Sequence, residues 1–185
     1  MKYIFDFAKR FFGNLHREYG VYRVIKNSFP TVNIESNVII KGDIKNLNLG
    51  KNVVIQSGTI LHLGGMEWCE FKGNLVIGDE SVISPHCIIY AGGPGGVRIG
   101  KRFDCGPGVG IFASRRDYTR DINKHVFGRV IIGDDVTVFA NAVIGPEVQI
   151  GDGAVVAACS VVLRDVPPCS LVGGAPARVL RENIK

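Results

Sequence analysis

From Ile132 to Pro167 an aliphatic residue opens every sixth position without a slip: IGDDVT, VFANAV, IGPEVQ, IGDGAV, VAACSV, VLRDVP. The fifth residue of each hexad (Val136, Ala142, Val148, Ala154, Ser160, Val166) is small or branched. The frame returns as LGKNVV, IQSGTI, LHLGGM from Leu49, as IGDESV, ISPHCI, IYAGGP from Ile77, and as IGKRFD, CGPGVG, IFASRR from Ile99. A ragged version opens at Ile34 with IESNVI and IKGDIK. Side chains alternate faces every two residues in a strand, so a six-residue repeat yields one short strand and one corner. Three such sides close a triangular coil of about 18 residues, with the aliphatic of each hexad inside. Stacked coils then pair as parallel strands about 4.8 Å apart. The expected fold is an all-β solenoid, a parallel β-helix of about six coils. A β-sandwich with regular strands is the competing architecture, and unbroken six-spacing from 132 to 167 argues against it. The 24 glycines, about 13% of the chain against a usual ~7%, follow no collagen period and suit the corners.

The interruptions of the period are as informative as the period. Coil starts at 49, 77, 99, 132 and 150 lie 28, 22, 33 and 18 residues apart, so the insertions amount to 10, 4, 15 and 0. The longest, DYTRDINKHVFGRVI at 117–131, gives an extruded loop near 115–131, and loops on a rigid scaffold are where sites concentrate. Arg115 takes a fifth position that is normally small, which requires the coil to open at about Ser114. Before the hexads, Ile4, Ala8, Phe11, Leu15, Tyr19 and Tyr22 recur at helical steps, an amphipathic helical segment over 1–31 that ends by Pro30. It can cap the first coil or lie on a membrane surface through residues 1–25. The remaining boundaries are a β-helix over 32–167 and a tail over 168–185.

Charge narrows the class of function. Residues 1–31 hold +4 of the net +5, leaving 32–185 at +1, so the body has no basic groove and no nucleic-acid partner is expected. Five cysteines form no CxxC pair, and an odd count without a recognisable signal peptide points to a reducing, cytoplasmic setting.

The stretch VIIGDDVTVFANAVIGPEVQIGDGAVVAACSVVLRDVPPCSLVGGAPARVLRE (130–182) resembles the hexapeptide-repeat acyltransferases, in particular their sugar O-acetyltransferase branch. Asp165-Val166-Pro167-Pro168 followed by VGGAPARV at 172–179 carries the resemblance to that branch. The resemblance implies a left-handed coil, a homotrimer, and acetyl-CoA as co-substrate lying between neighbouring prisms. It also implies transfer to a saccharide hydroxyl, in surface polysaccharide assembly, with no metal. Ala140, Ala142, Ala157, Ala158 and Ser160 match its small-residue positions along the cofactor, and Arg178 a basic position near the cofactor's phosphates.

Two departures bear on mechanism. Where the family has V-W-I-G this chain has Val136-Thr137-Val138-Phe139, so a glycine has become a phenylalanine. Where the family has its general-base histidine, this chain has Arg116, a cation that stays protonated above pH ~12. A positioned base is worth about 10²–10⁴ in rate, so a substitute is sought among His16, His62, His86 and His125. His125, on the returning limb of the loop, and His86, at a position matching an acceptor-binding asparagine, are the candidates, with Asp117 to orient either imidazole. His62 reads as a coil-surface residue. Arg115 and Arg116 suit a phosphate or carboxylate on a sugar-nucleotide acceptor, which favours N-acetylation of an amino sugar as the alternative. A β-helix scaffold without catalysis is the non-enzyme alternative. Zinc hydrolysis would need His62, His86 and His125 together, and their spacing does not suit it.

Overall fold

A computed structural model describes residues 24–184. Residues 24–28 are helical, and Ile25 is buried beneath the first coil. The Phe29 N–H closes on the Ile25 carbonyl at 2.8 Å, one residue before Pro30 stops the turn. Residues 1–23 of the expected helical segment over 1–31 lie outside the described residues.

From Asn33 onward the chain winds through three parallel faces. The first stacks Asn33–Ile34, Val54–Ile55, Val82–Ile83, Asp104–Cys105, Thr137–Val138, Val155–Val156 and Leu171–Gly174. The second stacks Ile39–Lys41, Ile60–His62, Ile88–Tyr90, Gly110–Phe112, Val143–Ile144 and Val161–Val162. The third stacks Leu47–Leu49, Leu75–Ile77, Val97–Ile99, Val130–Ile132 and Gln149–Ile150. Each strand pairs in parallel with its equivalent one coil away, the expected solenoid. Among the described residues no helix is long and apolar enough to cross a membrane.

Hexad chemistry explains the coil. Ile132, Val138, Ile144, Ile150, Val156 and Val162 point inward and are buried, and so are the fifth residues Val136, Ala142, Val148, Ala154, Ser160 and Val166. Inside, volumes compensate between coils: Phe103, fully buried, sits next to Ser81, whose hydroxyl accepts from the Phe103 N–H at 3.2 Å and donates to the Gly100 carbonyl at 3.1 Å. Fourth hexad residues make the corners. Asn52, Glu80, Arg102 and Asp135 form one left-handed column, and Gly58, His86, Gly108, Asn141 and Cys159 another.

The chain does not leave the coil at 168. Leu171–Gly174 still adds to the first face in parallel, and only then does Ala177–Arg181 fold back antiparallel upon it. Val172 stacks on Val156 and is buried as the opening aliphatic of a hexad is.

Candidate active site

All three long insertions leave the coil at one corner, between the second and third faces. They span residues 63–74, 91–96 and 113–129, and they bind one another. Gly73 bridges Gly92 and the Gly93 N–H donates to the Lys72 carbonyl at 2.8 Å, while within the longest the Gly128 N–H closes its base on the Ala113 carbonyl at 2.8 Å. The longest is a β-hairpin of Ser114–Asp117 and Asp121–Phe127. It opens where Arg115 would otherwise have to enter the prism.

Cross-strand register within the hairpin sets the chemistry. Arg116 stands directly opposite His125, Arg115 opposite Val126, and Ser114 opposite Phe127. Paired residues of an antiparallel ladder share a face. The histidine thus returns to the level of Arg116. Burial, and then the Arg116 charge, push the His125 pKa below its ordinary value. Its imidazole is neutral at pH 7 and able to accept a proton.

Aromatic contacts hold this hairpin on the coil. His62, Tyr90 and Phe112 are neighbours along the outside of the second face, with His62 stacked on Tyr90 at 4.4 Å and Tyr90 tilted on Phe112 at 5.7 Å. Trp68, from the short turn Glu67–Cys69, lies 5.4 Å from the His62 ring and 4.8 Å from the His125 ring. Phe127 stacks 5.9 Å from His125 and 6.2 Å from Trp68. Two glycines make room. A Cβ on Gly92 would lie 2.7 Å from the Trp68 ring, and one on Gly93, at φ +103°, would overlap the Phe127 ring. His62 is a buried member of this cluster, 7% exposed, rather than a surface residue. Burial, with the Lys41 charge behind it, lowers its pKa.

The other expected residues divide by geometry. The Asp117 Oδ1 accepts from the Thr119 N–H at 3.1 Å, the Thr119 hydroxyl at 2.7 Å and the Arg120 N–H at 3.1 Å. Those bonds, the Thr119 hydroxyl first, hold its pKa below the usual carboxylate range. Asp117 thus caps the hairpin turn, in place of the expected role of orienting an imidazole. His86 is exposed at the corner between the first and second faces, over Gly58, and the structure does not bring it to the hairpin. The Arg115 Nη1 donates to the Arg116 carbonyl at 3.2 Å, its guanidinium 4.9 Å from the Tyr118 ring, and the Arg116 Nη1 donates to the Asn123 carbonyl at 3.1 Å. Among the described residues neither arginine has a carboxylate in ion-pair range.

On the far coils, Ala142 and Ser160 are buried inside the prism and cannot touch a cofactor outside it. Ser160 Oγ accepts instead from the Gly174 N–H at 3.2 Å. Ala140 and Ala157 are half-buried and Ala158 is exposed. Beyond them Leu163, Arg164, Pro176, Ala177 and Arg178 line a pocket of about 160 Å³. Two guanidinium groups at one pocket suit a phosphate-bearing ligand. Arg164 was missed by the sequence reading, although it directly precedes the Asp-Val-Pro-Pro run. Phe139, 52% exposed, stands outside the first face beside Ala157. No three His, Cys, Asp or Glu side chains converge as a metal site among the described residues.

Comparison with known proteins agrees with this architecture. Residues 129–164 match the bacterial transferase hexapeptide (six repeats) model. The putative acetyltransferase YJL218W of Saccharomyces cerevisiae is 32% identical over 120 residues, covering 62% of this chain and 59% of that protein. The putative acetyltransferase YvoF of Bacillus subtilis is 49% identical over 59 residues, or 32% and 34% of the two chains. The matches thus span between a third and three-fifths of those relatives' lengths. Among solved structures, the hexapeptide-repeat containing acetyltransferase VCA0836 from Vibrio cholerae superposes with TM-score 0.64 at 31% identity over 76% of each chain. AntD, an N-acyltransferase from Bacillus cereus solved with dTDP and 3-hydroxybutyryl-CoA, has TM-score 0.74 at 23% identity over 87% of each chain, a likeness of fold.

Proposed function

The chain belongs to the hexapeptide-repeat transferase family, and from that premise we propose that it transfers an acetyl group from acetyl-CoA to a hydroxyl of a saccharide or sugar-linked acceptor. The observation that carries this reading is the placement of His125 opposite Arg116 across the extruded hairpin. A hydroxyl attacks poorly unless its proton is taken as it attacks, and an imidazole held neutral at pH 7 can take it. Acetyl-CoA supplies the activated thioester when bound. As the acceptor oxygen bonds to the acetyl carbon and the carbon–sulfur bond breaks, the proton leaves the oxygen for His125 and ends on the thiol of CoA. The adjacent Arg116 cation disfavours a lasting imidazolium and so favours passing that proton on. Ala140, Ala157 and Ala158 would line the donor, and Arg164 and Arg178 would meet its phosphates. A left-handed homotrimer, cytoplasmic and in contact with the inner membrane face through residues 1–25, completes the reading inherited from the resemblance, with surface polysaccharide as the destination of the acetylated sugar.

A second reading is N-acetylation of an amino sugar nucleotide. It is favoured by the two arginines, which have no carboxylate partner among the described residues, and by the fold of AntD, whose S84A mutant was solved in complex with dTDP-4-amino-4,6-dideoxyglucose. Release of CoA thiol, followed with free sugars, nucleotide sugars and amino sugar nucleotides, separates the two. For the hydroxyl reading His125→Asn lowers turnover at least 100-fold. Turnover confined to amino acceptors and indifferent to His125→Asn establishes the second reading. Acetyl-CoA binding with no turnover on any acceptor would leave a scaffold.

A further inference from the structure

A catalytic imidazole commonly has its second nitrogen fixed by a carboxylate or carbonyl, which sets ring orientation and tautomer. Among the described residues His125 has no such partner: its Nδ1 is buried without a hydrogen bond, and of the hairpin's two carboxylates Asp117 is engaged in the turn and Asp121 lies beside Lys124. What touches the ring is aromatic. Trp68 lies 4.8 Å away at 42° and Phe127 5.9 Å away at 15°. Trp68 comes from a different insertion, and its own place is fixed independently of the hairpin. Neighbouring Cys69 is fully buried and its thiol donates to the Met66 carbonyl at 3.1 Å. The indole edge rests on Gly92, and its other side meets His62, itself stacked on Tyr90. The chain of contacts Tyr90–His62–Trp68–His125 therefore runs from the rigid second face to the tip of the candidate base.

We propose that Trp68 is a positioning residue for His125, fixing by ring contact the imidazole orientation that a carboxylate fixes elsewhere. The proposal rests on the reading of His125 as the base, and its test separates the two. The charged and titratable groups on the hairpin strands around His125 are Arg115, Arg116 and Asp117 on the facing strand, Lys124 beside it, and Asp121, which lies 4.0 Å from Lys124. Beyond Trp68 come His62, Tyr90 and Lys41, and in the Trp68 insertion Glu67, Glu70 and Lys72, the last two paired at 3.5 Å.

The experiment uses the full chain, with histidines labelled so that each imidazole is titrated by NMR, alongside steady-state kinetics. In Trp68→Ala the freed imidazole is hydrated, so its titration moves up toward the ordinary pKa of about 6.5, and the acid limb of kcat/KM moves with it. Misorientation lowers kcat by about tenfold to 100-fold while the KM for acetyl-CoA stays within about twofold. Trp68→Phe, which keeps a flat ring, recovers most of both. A folded Trp68→Ala whose His125 titrates as in the parent overturns the proposal, as does a kcat equal to the parent's. If Trp68→Ala does not fold, Trp68→Leu and Trp68→Phe decide: equal effects of the two overturn the proposal, and rescue by Phe alone supports it. Full turnover in His125→Asn would remove His125 as base, and the titration shift would still decide whether Trp68 holds the ring.

Discussion

Gly93→Ala tests whether the hairpin is held by its aromatic contacts. Gly93 has φ +103°, a region that costs an L residue about 1–3 kcal/mol. The new methyl would also overlap the Phe127 ring, and overpacking of this kind costs about 1–3 kcal/mol. The sum is about 2–6 kcal/mol. Against it stands what docking the hairpin gains: about 1–2 kcal/mol for the half-buried Phe127 and about 0.5–1.5 kcal/mol for each of the two aromatic pairs made with Trp68. The two sides are comparable, so the substitution undocks the hairpin rather than unfolding the solenoid, whose strand pairing does not pass through residue 93. Trypsin reads this directly, since Arg115, Arg116, Arg120 and Lys124 all lie in the hairpin. Nicking within 114–127 should accelerate at least tenfold, with hydrogen exchange rising over the same residues and the strands of the second face still protected. Parent-like nicking would refute the reasoning. A cooperative loss of protection across the coils would refute the claim that docking and coil stability are separable.

Other outcomes follow from the same geometry. Phe103→Ala opens a cavity beside Ser81 and should cost about 3–5 kcal/mol in chemical unfolding; a cost below about 1 kcal/mol would mean the coil collapses onto the gap. His62 and His125 have folded pKa values below the unfolded value, so the stability they contribute is present above pH ~6.5 and lost as pH falls through that value toward the folded ones. The urea midpoint should therefore fall between pH 7 and 5, less steeply in His62→Gln, and a parent midpoint that rises on acidification contradicts the assignment. Arg102→Ala breaks a surface pair of 2.7 Å to Asp135 and should change stability by no more than about 1 kcal/mol, because both partners are near half-exposed. Ala158→Trp, at an exposed position on the proposed donor path, should raise the KM for acetyl-CoA at least tenfold without a change in melting temperature, and an unchanged KM moves that path elsewhere.

The solenoid was legible because its period is a counting rule that local chemistry enforces: every aliphatic first residue and small fifth residue between 132 and 166 is buried as the frame requires. The same rule, applied strictly, excludes Ala142 and Ser160 from the donor path, since both are fifth residues; matching them to a family pattern overrode it. It also identifies His86 as a fourth, corner residue, in a column with Gly58, Gly108 and Asn141. Asp117 carried its own signal, an Asp two residues before Thr119 in a polar turn. The burial of His62 had none. That burial follows from an insertion folding back to set Trp68 over the second face, and no periodicity encodes where an aperiodic segment returns. The Arg116–His125 register was likewise out of reach, because the shift between Arg116 and Asp117 changes the pairing count.

That all three excursions leave by one corner divides the molecule into parts with different tolerance for changes in length. Along the first and third faces, and at the two corners that bound the first, one added or deleted residue turns the next strand inside out, placing polar side chains in the prism and aliphatics in water. The third corner is the place where the ruler is already broken, by loops of unlike length. Chain length can drift there with no penalty to the stack, and lineages sharing this scaffold can differ by whole loops while keeping the remaining frame fixed to the residue. New surface shapes can then arise by insertion and deletion as readily as by substitution, and in one confined place.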